Sequence, residues 1–129
     1  MGKRGVLRGR GQFGDVITQG RKVPARLLRA AYVVTERDGG LVRCGISIAR
    51  QTGNAVRRNR IKRLIREAIR LERSHLQNVS SQANVGVDIV FRFRPVGVPP
   101  IRQISLQHII PEVRKIFGTI VTRMSQGTS

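Results

Sequence analysis

Apolar positions along the chain change period several times, and each change marks an element. Phe13, Val16 and Ile17 recur at i, i+3 and i+4, which predicts a short amphipathic helix over 12–19 closed by Gly20. Residues 27–35 are rich in Tyr and Val, and 41–49 alternate through Val42, Cys44, Ile46 and Ile48. Both read as strands, and Arg37-Asp38-Gly39-Gly40 between them reads as a hairpin turn. From Asn54, a plausible N-cap, to His75 the period becomes helical. Ile61, Leu64, Ile65, Ala68, Ile69 and Leu71 fall on one arc of that helix. Residues 77–86 are polar and read as a loop. Residues 87–94 form a strand stopped by Pro95, and 96–100 turn the chain. Ile109, Ile110, Val113, Ile116, Phe117, Ile120, Val121 and Met124 return to helical spacing. Pro111 interrupts them, so a short helix ending near Ile109 and a longer one from Pro111 are expected.

Helix, strands, helix, strand, helix is the pattern of an α+β or α/β sandwich with helices packed on a small sheet. The 129 residues fit one domain, with 1–11 as a flexible basic arm and 125–129 as a disordered tail. Phe91 and Phe93 share a strand face and read as core, with base stacking the alternative, while Asp88 and Arg92 on the other face read as exposed.

Charge changes the picture most. The net charge is +18, and 21 of the 25 basic residues are Arg. A fold this basic calls for a polyanion, and the guanidinium fork suits phosphate. A nucleic acid is the first candidate and an anionic membrane surface the second. No run approaches the apolar length of a membrane span, and no apolar stretch follows the basic N-terminus as in a signal peptide. One cysteine, Cys44, and two histidines, His75 and His108, make neither a disulfide nor a zinc site. The single cysteine fits a reducing cytoplasm, where the chain is expected to reside. Cys44 reads as a small core residue, His75 as a helix-end cation and His108 as partly packed.

The charge concentrates on one helix face. Arg57, Arg58, Arg60, Lys62, Arg63, Arg66, Arg70 and Arg73 stand against only Glu67 and Glu72. Like charges at i, i+3 and i+4 destabilise a helix by a few tenths of a kcal/mol per pair, so roughly one sign on a whole face points to a bound polyanion. Arg57, Arg58 and Arg60 lie near the helix N-terminus, where free N–H groups and the dipole favour phosphate. A solvated surface helix is the plainer reading, but such helices usually mix signs.

The run from Gly53 to Glu67, with Arg58-Asn59-Arg60 at its centre, resembles the signature of the protein subunit of bacterial ribonuclease P. The flanking elements resemble that family too, from about residue 4 to 121. The resemblance implies a two-layer α/β sandwich whose small mixed sheet carries a left-handed βαβ crossover, similar to the second domain of ribosomal protein S5. It implies a partner, the catalytic RNA, and a substrate, precursor tRNA. The 5′ leader is removed by Mg²⁺-dependent hydrolysis whose catalytic centre lies in the RNA. Neither a membrane nor DNA is an expected partner, and no catalytic residue or protein-held metal is expected in this chain. Residue by residue, it assigns Arg58, Asn59, Arg60, Lys62, Arg63 and Arg66 to RNA binding, with Arg50 and Ser47 on the strand edge leading in; the charge pattern of the helix adds Arg57 and Arg70. It assigns Phe13, Ile17 and Leu28 to a leader cleft. The family often has aromatics at the last two positions, so this cleft should stack less and rely more on charge.

Three other functions compete. A structural RNA-binding protein of ribosomal type would share the basic sandwich, and the signature separates the two. A self-sufficient nuclease needs clustered carboxylates or a histidine pair, and the sequence shows neither. A helix-turn-helix DNA binder needs a short helix and tight turn before the basic helix.

Overall fold

A computed structural model describes residues 6–7, 10–36 and 40–126. Eight elements follow in order: α1 (Arg10–Gln19), β1 (Arg21–Pro24), β2 (Leu28–Thr35), β3 (Val42–Ile48), α2 (Ala55–Glu72), α3 (Ser74–Ala83), β4 (Gly86–Phe93) and α4 (Leu106–Ser125). The sheet order is β1-β2-β4-β3, with β2 antiparallel to β1 and β4, and β3 parallel to β4.

The most apolar strand takes the protected place. Every residue of β4 except Arg92 is buried, so β4 sits between β2 and β3 with both faces covered. That placement corrects the expected hairpin across 37–40. β2 and β3 do not pair, because β4 lies between them; residues 37–39 themselves lie outside the described residues. The hairpin is instead β1-β2, in which Pro24 lies opposite Arg29 and the Ala25 N–H donates to the Leu28 carbonyl at 3.0 Å. β1 went unread because only Val23 of its four residues is buried.

The main core lies on one face of the sheet. Leu28, Ala30 and Tyr32 of β2 and Val87, Ile89, Phe91 and Phe93 of β4 meet Ile61, Ile65, Ala68 and Ile69 of α2. Ile109, Val113, Ile116, Phe117 and Ile120 of α4 complete it. Phe91 and Phe117 pack edge to face, with centroids 5.6 Å apart. Phe91 and Phe93 are thus core, as read from their alternation, whereas Leu71 is 45% exposed and leaves the predicted core arc. The opposite face carries a smaller cluster of Leu7, Val16, Ala31 and Val90, with Phe13, Ile17 and Val33 packed against it. α1 covers this face only in part, as a partial third layer.

Three further expectations change. The stretch read as a flexible arm includes Val6, which bridges to Cys44, and Leu7, which is buried and donates its N–H to the Cys44 carbonyl at 3.1 Å. Residues 1–5 and 8–9 of that arm lie outside the described residues, as do 127–129 of the tail, whose Ser125 ends α4. The polar loop at 77–86 is mostly helix α3. Leu76 and Ser80 are buried on one side of it, and the Gln77 amide accepts from the Val42 N–H at 3.1 Å and donates to the Gly40 carbonyl. Its polarity holds the entry to β3 in place.

Pro111 lies inside a continuous α4. It removes one backbone donor, and the buried face from Ile109 to Ile120 carries the helix through. In the second turn of α4, the Glu112 carboxylate accepts from the N–H groups of Leu27 (3.0 Å) and Leu28 (2.8 Å), both buried, and so ties α4 to the head of β2. Glu112→Gln keeps only one acceptor and is expected to lower stability by about 2 kcal/mol, read as a lower urea midpoint at unchanged m-value.

Candidate nucleic-acid interface

The basic helix begins on a built turn. The Asn54 side chain accepts from the Arg57 N–H at 3.0 Å, which caps α2 as its sequence predicts. Before it, Gly53 holds φ +129°, and a Cβ there would stand 2.8 Å from Cδ of Arg57. Glycine is the residue that accepts both conditions. The Arg58 guanidinium donates back to the Gly53 carbonyl at 2.9 Å.

The cations of α2 then divide by task. Arg60 turns inward and donates to the carbonyls of Ile101, at 3.2 Å, and Ile104, linking α2 to the turn before α4. Arg73 donates to the Val42 carbonyl. Arg70 pairs with Glu67, which lowers the Glu67 pKa by the hydrogen bond from Arg70, and the Glu72 pKa is lowered in the same way by Arg114 of α4. Lys62, Arg63 and Arg66 make no hydrogen bond or ion pair among the described residues. With Val56 and Asn59 they line an open depression of about 560 Å³. These three side chains, one helical turn or less apart, together with the exposed guanidinium of Arg57 at the helix start, which likewise makes no hydrogen bond or ion pair among the described residues, are placed to meet phosphate.

A second groove, about 400 Å³, adjoins the first and shares Lys62 and Arg66. Its floor is Leu7, Phe13, Cys44 and Ile46, at the outer edge of β3. Phe13 lies so close over β3 that a Cβ on Gly45 would come within 2.6 Å of its ring. Cys44 is buried there, and burial pushes its thiol up to about 12, so it stays a neutral apolar contact.

The open sheet face carries a third feature. Ile17, Ala31, Lys22, Arg29 and Arg92 line one groove of about 370 Å³, and Arg29, Ser47, Arg92 and Arg94 line a smaller one beside it. Ile17 therefore reaches the space between α1 and the sheet, as expected of a cleft residue. Ser47 opens onto the same face, whereas exposed Arg50 sits in the turn after β3. Leu28 does not reach it. It is 0% exposed, in the core on the opposite face, because strand alternation gives the outward place to Arg29. The basic sheet residues Arg29 and Arg94 were missed, although alternation with Leu28 and Phe93 would have found them.

Among the described residues the acids do not gather into a cluster. Asp88 is only 7% exposed, unlike the exposure read from the sequence, because Arg43 on the neighbouring strand holds it through two bonds of 3.0 and 2.9 Å. Glu67, Glu72 and Glu112 are engaged as described above. Among the described residues no three His, Cys, Asp or Glu side chains come together. The described residues thus offer no clustered carboxylates to hold Mg²⁺. His75 is exposed near the start of α3, and His108 Nδ1 accepts the Ser105 N–H at 3.0 Å at the start of α4, a capping role. Among the described residues no helix is long and apolar enough to cross a membrane.

Known proteins resemble this chain in sequence and share its fold. The protein component of Brevibacillus brevis ribonuclease P is 33% identical over 109 residues, 81% of this chain and 79% of that protein. That of Desulforapulum autotrophicum is 30% identical over 112 residues, 87% of this chain and 85% of that protein. The fold matches the ribonuclease P protein of Thermotoga maritima with a TM-score of 0.70 at 23% identity, covering 88% of this chain and 94% of that one. It matches the Staphylococcus aureus protein with a TM-score of 0.64, also at 23% identity, over 92% and 96%. The family profile described as Ribonuclease P matches residues 1–121. With the signature helix, the mixed sheet and this coverage together, the chain belongs to the ribonuclease P protein family.

Proposed function

We propose that the chain holds the catalytic RNA of ribonuclease P on the outer face of α2 and the 5′ leader of precursor tRNA over the open face of the sheet. The observation that carries the first half is the division of the α2 cations: Arg58 and Arg60 bond within the fold, and half-buried Lys62 and exposed Arg63 and Arg66 stay unpaired on one side. Membership in the family supports association with ribonuclease P RNA. The cleft supports the second half. Phe13 and Ile17 of α1 face a sheet bearing Arg29 and Arg92, a space suited to a single strand. The Mg²⁺ that hydrolysis requires is assigned to the RNA, a reading supported by Glu67, Glu72, Asp88 and Glu112 being held by arginines and backbone amides. The expected setting is the cytoplasm.

Reconstitution tests this reading. The protein, added to a bacterial ribonuclease P RNA at low Mg²⁺, is expected to stimulate cleavage at the mature 5′ end of precursor tRNA, while the protein alone cleaves nothing. Binding to structured RNA without any stimulation would favour a ribosomal-type role instead. Within the active complex, Phe13→Ala is expected to weaken precursor binding by about tenfold, the scale of one lost stacking contact, and to leave mature tRNA binding unchanged. Equal losses for both substrates would remove Phe13 from the leader cleft.

A further inference from the structure

Arg29 of β2 and Arg92 of β4 stand directly opposite each other in the antiparallel register. Both are exposed, and like charges so placed oppose the pairing of their strands. Ser47 of β3 is the partner of Arg92 on its other side, and Arg94, just past the end of β4, lines the smaller groove with them. Both grooves of the sheet face include Arg29 and Arg92, so the pair joins them into one track crossing the strands. No acid lines either groove, and Asp88, the acid of β4 on this face, is already bound to Arg43. A solvated sheet face ordinarily sets opposite charges across from each other; this one sets two guanidinium forks side by side.

Stacking surface is scarce along the same track. Ile17 and Ala31 supply its apolar wall, and its one aromatic lining residue, Phe93, is 1% exposed with its ring in the core of the other face. We propose that Arg29 and Arg92 form a phosphate grip for the leader strand, which takes over here the part that base stacking plays in an aromatic cleft. The proposal rests on the leader reading above and deepens it: the strand is held by its phosphodiester backbone. Two adjacent forks bind one phosphate, or two consecutive ones, from both sides, and the Ser47 hydroxyl adds a donor beside Arg92. A backbone grip is indifferent to base identity, so leaders of different sequence are held alike.

The test uses the reconstituted holoenzyme and compares precursor tRNA with mature tRNA in equilibrium binding. The double variant Arg29→Gln, Arg92→Gln is expected to lose about tenfold in precursor affinity. Its salt slope for precursor should fall by about 1.4, the share of two contacts to a single strand. Affinity for mature tRNA and for the RNA subunit should stay within twofold. Neutral methylphosphonate linkages in the leader should weaken wild-type binding and add nothing further in the double variant. Leaders with abasic nucleotides everywhere except at the base stacked on Phe13 should bind the wild type within threefold of the normal leader. Restoring charge with Lys at both positions should recover part of the affinity. An unchanged salt slope, an equal loss with mature tRNA, or a large abasic effect would overturn the grip while leaving leader binding in place. A loss of RNA-subunit affinity would assign the track to that RNA and overturn the grip as well. If the wild-type complex does not distinguish precursor from mature tRNA, the leader reading itself fails, and the grip with it.

Discussion

Replacing Lys62, Arg63 and Arg66 together by alanine is expected to weaken binding to the ribonuclease P RNA on the order of a hundredfold near physiological salt, with no loss of fold. The magnitude follows from counterion release. Each phosphate contact on a duplex-like target contributes about 0.9 to the salt slope, or roughly 0.7 log units when carried from 0.15 M to 1 M salt. Three contacts make about two log units and a slope shallower by about 2.7. The fold should not suffer, because none of the three side chains holds another described residue. Relief of the like-charge repulsion along α2 should even raise the urea midpoint slightly. Titration of labelled RNA at several salt concentrations, beside urea unfolding, separates the two quantities. An unchanged slope would mean that the RNA approaches from another side. A lower midpoint would mean that the helix face is structural.

The division between cations that bond within the fold and cations that stay unpaired shows where sequence reading stops. The helical period and the charge of residues 54–72 are local properties, and they appear in the structure with the expected cap at Asn54. The alternation of β4 likewise placed Phe91 and Phe93 in the core. Which strand neighbours which is a non-local question. The turn-like residues 37–40 point to a hairpin, yet burial of both faces of β4 draws that strand into the centre. α3 was misread for a related reason. Its amides and hydroxyls resemble loop composition, but Gln77 spends its side chain on β3, which becomes visible only once β3 lies beside it. The signature shows the same limit: Arg58, Arg60 and Arg63 are equivalent as letters, and only the carbonyls of Gly53, Ile101 and Ile104 tell the first two apart from the third. At the cleft, one step of strand register separates Leu28 in the core from Arg29 on the open face.

Arg60→Ala is accordingly expected to act mainly on stability, lowering it by about 3 kcal/mol. The guanidinium serves two carbonyls, and a hydrogen bond from a charged donor contributes about 1.5–3 kcal/mol. Ile104 is fully buried, so water cannot readily replace the donor at its carbonyl. Arg60 is itself half-buried, which argues for less than the full sum of both bonds. A domain of this size has only about 5–15 kcal/mol in hand, so the variant should unfold at a clearly lower urea concentration. Arg60→Lys should recover little, since one ammonium on a flexible stem does not replace a fork spanning two carbonyls. The unfolding should begin where the contact lies, with faster hydrogen exchange in residues 101–108 at the start of α4 than in β4. Measured where the variant is still folded, the salt slope of its RNA binding should match the wild type. A normal urea midpoint combined with a slope shallower by about 0.9 would reverse the assignment and put Arg60 beside Lys62, Arg63 and Arg66 as a phosphate ligand.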